Sequence, residues 1–172
     1  MHKVRRVAVG TALFVIALIA AFLLAGPERI WSLVGPPDLG PVEFENLVRR
    51  TTPNDALACP PGICQAQSDV TPAVYETDAA NLRYWFAQVI AAEPRVTAVA
   101  TDDATMTDRY IQRSALMRYP DTIVVRFFDL PEGRSTIALY SRSQLGKSDL
   151  GVNRARIERW LAKLGEIVPV AE

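Results

Sequence analysis

The sequence predicts an α+β fold, in which one membrane-spanning helix precedes a single domain built on an antiparallel sheet with helices on one face. Three patterns predict it: an uncharged apolar run over residues 7–25, two helical stripes around Leu82 and Ile157, and four strand-like runs between the stripes. Recurrence every three to four residues marks an amphipathic helix, and alternation every two marks a strand. With an extended segment ahead of the first stripe, the domain reads strand, helix, four strands, helix. A TATA-binding-protein-like or helix-grip-like arrangement satisfies that order, and neither carries a function with it.

Val7 to Ala25 has no charged side chain, and Thr11 is its only polar one. At about 1.5 Å per residue the run spans roughly 28 Å, close to the hydrocarbon thickness of a bilayer. A buried core helix would need a polar face, and this run has none. Lys3, Arg5 and Arg6 precede it, which holds residues 1–6 in the cytoplasm and the rest of the chain on the far side. A cleavable signal peptide has a shorter apolar region and small residues before its cut. Here Leu23 stands where a small residue would be needed if Ala25 were the last one removed, so a retained anchor over 7–25 is expected.

Residues 26–43 contain Gly35-Pro36-Pro37-Asp38-Leu39-Gly40-Pro41, a linker that cannot continue a helix. The domain is expected over 44–165 and a short tail over 166–172. Pro53 to Pro72 is rich in Pro, Gly, Asn and Asp, and reads as a loop. It holds Cys59 and Cys64, for which an exported domain makes a disulfide the default. Pro60-Pro61-Gly62-Ile63 turns the chain between them, and so small a loop contributes roughly 2 kcal/mol on the chain-entropy model.

Val70 to Glu76 is extended, and Pro72 confines it to a sheet edge. Thr77 or Asp78 caps a helix whose apolar residues Leu82, Trp85, Phe86 and Val89 share a face, and Pro94 ends it. Strands are expected over Arg95–Thr101, Arg109–Met117, Thr122–Asp129 and Ser135–Arg142. The turns between them carry Asp102-Asp103, Pro120-Asp121 and Pro131-Glu132-Gly133. Connections this short make the strands antiparallel neighbours. Val124 and Phe128 put apolar groups on the second face of their strand, so that face is expected to be partly covered. Ile157, Trp160, Leu161 and Leu164 form the last stripe, with Gly165 placed to stop the helix.

Basic and acidic residues number 19 each, so no global field favours nucleic acid. Between Arg134 and Lys163, however, seven basic residues face only Asp149 and Glu158. The loop from Tyr140 to Arg154 joins the last strand to the last helix within this basic stretch. Two readings stay open. Ser148, Asp149 or Asn153 caps the helix, with Gly146 and Gly151 allowing tight turns. Alternatively, Arg142, Lys147, Ser148, Asp149, Asn153 and Arg154, with Arg109 from a neighbouring strand, form an anion site for a phosphate or carboxylate. Arg109 and Arg113 share one face of their strand. The only histidine is His2, ahead of the anchor, which excludes a Ser–His–Asp triad and a Cys/His metal site from the domain. No metal or cofactor is called for, and no catalytic residue is assigned.

Asn54-Asp55-Ala56-Leu57-Ala58-Cys59-Pro60-Pro61-Gly62-Ile63-Cys64, Ser141-Arg142-Ser143 and Gly146-Lys147-Ser148-Asp149-Leu150-Gly151-Val152-Asn153-Arg154 resemble the bacterial family called domain of unknown function fourteen-ninety-nine. The likeness runs roughly from Phe44 to Leu164, and Ser-Asp-Leu-Gly-Val-Asn-Arg is its most specific part. It implies the domain's extent and leaves the activity open. The resemblance implies that Lys147 stands where many relatives carry an aromatic residue. The expected protein is a single-pass protein of a bacterial inner membrane with a periplasmic domain, acting as a non-catalytic interaction or ligand-binding module. Its expected partners are the membrane, an anionic lipid or glycan, or another envelope protein. The rival is a hydrolase or transferase acting on an envelope lipid or glycan.

The full-length chain is expected to remain in membranes after alkaline carbonate washing. A soluble product beginning near Gly26 would show that the apolar run is removed.

Overall fold

The computed structural model describes residues 2–171. Helix α1 (His2–Ala25) is long and apolar enough to cross a membrane, with mean hydropathy 2.8 over Arg6–Ala25 and none of that stretch buried against the protein. Gly26, at a positive φ of 83°, breaks it, and Pro27 at the first position starts the short helix α2 (Pro27–Ser32).

The domain carries a five-stranded antiparallel sheet of β1 (Asp55–Ala58), β2 (Val96–Asp102), β3 (Thr107–Arg113), β4 (Pro120–Leu130) and β5 (Arg134–Ser143). Their spatial order is β1-β5-β4-β3-β2. The longest pairing, β4 with β5, runs from Asp121 opposite Ser143 to Leu130 opposite Arg134. A 3-10 turn over Pro131–Gly133 closes it, with Glu132 and Gly133 both at positive φ.

Helices α3 (Ala79–Ala91) and α4 (Val152–Ile167) lie on one face, as the two stripes require. Asp78 caps α3 by accepting from the Asn81 N–H at 2.8 Å. Leu82, Phe86, Val89 and Ile90 are its buried side, whereas Trp85, which shares the apolar spacing, is exposed and packs on Tyr84. Phe86 meets Tyr110, Phe127 and Trp160 edge-on or tilted, so one ring joins both helices to the sheet. Ile123, Val125 and Phe127 of β4 fill this layer.

Three local expectations change. The first strand is β1, inside the segment that reads as a loop. Residues 70–76 form only isolated bridges, from Val70 to Ala58 and from Tyr75 to Ser135 and Val170. Pro72 has no N–H to give a ladder, and β1 is too short and too buried on both faces for alternation to mark it. Gly165 does not stop α4, which runs to Ile167. The helix ends where Val168 turns extended ahead of Pro169, a residue that disfavours helical backbone before it. Several strand ends also move by a few residues, most at β3, which stops at Arg113.

The second face of the sheet has its own core. Leu57, Val124, Ala138 and Tyr140 are covered by Phe44 and Leu47 and by the Cys59–Cys64 loop. The disulfide is formed, with Cα atoms 6.2 Å apart. Phe44 is fully buried there, so the segment ahead of the sheet is part of the fold.

Candidate functional site

The loop between β5 and α4 is organised by one buried cation. Arg156, on the inner side of α4, is 3% exposed and spends its guanidinium on four side chains. Nε donates to Gln112 Oε1 at 2.5 Å, and one terminal nitrogen donates to Asp121 Oδ2 at 2.6 Å. The other terminal nitrogen reaches Ser141 Oγ at 2.7 Å and Asn153 Oδ1 at 2.6 Å. Burying a charge is costly unless it is paired and hydrogen-bonded, and here a carboxylate and three neutral acceptors meet it.

Asn153 extends the network. Its amide donates to Ser143 Oγ at 3.0 Å, Asn54 O at 3.2 Å and Asp149 Oδ2 at 2.7 Å. Asp149 accepts in turn from the N–H groups of Asn153 at 2.8 Å and Gly151 at 3.0 Å. That is the work of a helix cap, although the residue immediately before α4 is Gly151, left-handed and without a side chain to offer. Asn54 donates to Gly146 O at 2.7 Å and so fixes the other end of the loop. Ser141, Ser143, Asp149 and Asn153 therefore form one polar knot with Arg156.

The remaining candidates lie elsewhere. Arg142 and Arg109 are on the opposite face of the sheet from the knot. Arg142 donates to the carbonyls of Leu39 and Gly40, both at 2.8 Å, and its guanidinium lies 5.6 Å over the Tyr140 ring. Burial above all, with the like charges of Arg50 and Arg109, weakens its hold on its proton. Arg109 grips Asp38 with Nε 2.8 Å from both carboxylate oxygens. Arg113, on the same strand face, reaches Glu28 at 3.3 Å. Both arginines thus hold the segment that follows α1.

Ser148, Asp149 and Arg154 border an open cleft of about 850 Å³ with Arg49 and Arg50. Its cations are engaged within the protein: Arg49 with Asp55 and Asp69, Arg50 with Ser143 O, and Arg154 with Glu158 one turn along α4. Burial pushes the Asp55 carboxyl up, and bonds from Arg49, Tyr140 and the Arg50 N–H outweigh it, leaving the group below its ordinary range. Lys147 is exposed.

A second cavity, of about 440 Å³, opens between the loop and α2. Trp31 and Tyr119 form one wall, and Leu145, Leu150 and Val152 the other, with Asp149 at its edge. Trp31 donates to Met117 O at 2.5 Å, packs in a tilted arrangement on Tyr119 at 4.7 Å and meets Phe22 of α1 edge-on at 6.1 Å. Sequence reasoning passed over Arg156 and Trp31. The signal for Arg156 was available: Asn153, Arg156, Ile157, Trp160 and Leu164 fall on one face of α4, and two polar residues on an apolar stripe must be satisfied inside.

The family model described as "Protein of unknown function (DUF1499)" matches residues 46–164, and the chain belongs to that family. No curated protein matches the chain. The matched span holds the whole knot, from Asn54 to Arg156.

Arg156→Ala should lower stability by about 3–5 kcal/mol, because it leaves the Asp121 carboxylate buried without its partner. Asp149→Ala should cost about 0.5–2 kcal/mol as a lost cap. Arg154→Ala and Lys147→Ala should change the melting midpoint little, since both positions are exposed. Chemical denaturation of the four variants checks this, and equal losses at Arg154 and Arg156 would refute the distinction.

Proposed function

We propose that the protein is a non-catalytic binding module held at a bacterial inner membrane by a retained α1, with its domain on the periplasmic side. The observation that carries this is the cavity between Trp31, Tyr119 and the 145–152 loop, which lies where the anchor joins the domain. A concave, mainly apolar hollow with a few polar groups at its edge is the usual form of a ligand site. Each face of the sheet has an apolar core of its own, so its central strands are filled by the fold itself. The disulfide fits an oxidising compartment.

The rival, a hydrolase or transferase acting on an envelope lipid or glycan, draws on Asp121, Ser143 and Asp149, which line this cavity. Their bonds favour binding over chemistry. Asp121 is tied to Arg156, Ser143 Oγ accepts from Asn153, and Asp149 is committed to the start of α4. Each of the three already takes part in the bonds that build the loop.

A photo-crosslinking amino acid at Leu145, in cells, should capture a lipid or glycan, identified by mass on the purified full-length protein. The same group at Ala104, on a turn at the far end of the sheet, should capture none. Equal labelling at the two positions, or no adduct at Leu145, would overturn the proposal.

A further inference from the structure

We propose that the end of the domain formed by the Ser114–Tyr119 turn and the Gly146–Gly151 loop rests on the bilayer crossed by α1, with Leu116 and Leu150 inserted at its surface.

The tether sets the distance. Trp31 lies six residues beyond the end of α1 and packs against Phe22 of that helix on one side and Tyr119 of the domain on the other. Its indole N–H is bonded to Met117 O, which fixes the Ser114–Tyr119 turn beside the anchor. Glu28, in the first turn of α2, adds ion pairs to Arg118 at 2.6 Å and Arg113 at 3.3 Å. A six-residue helix is about 9 Å long, comparable to the depth of the headgroup layer beyond the hydrocarbon. A domain held this closely meets the membrane with the end that bears these contacts. Tryptophan and tyrosine at that level are the side chains that settle at membrane interfaces.

The surface there is apolar for no reason internal to the fold. Leu150 is 94% exposed, Leu116 80% and Leu33 86%. Leu150 also holds a left-handed backbone, at φ 55°, a conformation unfavourable for a branched side chain. The knot imposes it, since Asp149 and Gly151 on either side are fixed to the start of α4. Val152 is half exposed beside it. Trp31, Tyr119 and Leu150 border one cavity, so the two turns share one end of the molecule. Lys147, exposed on the Gly146–Gly151 loop, puts a positive charge beside Leu150. The turns at the opposite end, Asp102–Thr105 and Pro131–Gly133, present Asp102, Asp103 and Glu132.

The proposal rests on α1 being a retained anchor, and its test separates the two claims. Full-length Leu116→Cys, Leu150→Cys and Ala104→Cys variants, with the native disulfide intact, are labelled with an environment-sensitive fluorophore. Each is reconstituted in phosphatidylglycerol–phosphatidylethanolamine vesicles with or without nitroxide-bearing lipids. Carbonate washing of the same vesicles reports the anchor independently. Labels at 116 and 150 should shift to the blue and be quenched by shallow nitroxides at least about twofold more than the label at 104. Water-like emission and equal quenching at the three positions in carbonate-resistant protein would overturn the docking and leave the anchor standing. A blue shift without lipid quenching would assign the surface to a protein contact and also overturn it.

Discussion

The loop that joins β5 to α4 depends on the buried guanidinium of Arg156. A charge this far from water is tolerated because Asp121, Gln112, Ser141 and Asn153 surround it, each supplied by a different part of the sheet or by α4 itself. The bonds cross-link the ends of β3, β4 and β5 to the first turns of α4. Through Asn153 they reach Asp149, Ser143 and Asn54, and through Asn54 they reach Gly146. The 144–151 loop therefore has its shape dictated from beneath. Its exposed tip, Leu150, is a consequence of that buried order.

The same logic extends toward α1. The segment after α1 carries a linker composition, yet it is fastened to the domain along its length. Glu28 pairs with Arg113 and Arg118, Asp38 with Arg109, and the carbonyls of Leu39 and Gly40 receive Arg142. Single ion pairs near a surface contribute little. Several in succession, together with the packing of Trp31 and the burial of Phe44, leave the segment few alternatives. The arginines that look like an anion site on β3 and β5 thus serve in this fold as fasteners for the chain leading out of α1.

Much of the architecture was legible because its signals are local. Charge-free length marked α1, spacing marked α3 and α4, and alternation between turn residues marked β2 to β5. β1 escaped because four residues buried on both faces have no alternation to show. The motif around Asp149 stood out, and its capping role was legible from Asp and Asn at a helix start. Its reason was not. Arg142 and Ser141 are neighbours in sequence but point to opposite faces, so the positive charges between Arg134 and Lys163 do not gather at one site: Arg142 faces Leu39 and Gly40, Arg156 is buried under α4, and Arg159 and Lys163 share Glu93. Arg156 counted as one more basic residue, although its place on the apolar stripe separates it from Arg154, two positions away and paired with Glu158 in solvent.

The central claim is that Arg156 is an interior group on which the loop is built, and its own side-chain hydrogen reports on it most directly. In nitrogen-15-labelled protein, the exchange of the Arg156 Nε–H with solvent should be as slow as that of core amides such as Val125 and Leu139, opening only with global unfolding. The Nε–H of Arg154 should exchange fast. An Arg156 signal that exchanges as readily as that of Arg154, in protein whose core amides remain protected, would contradict the account.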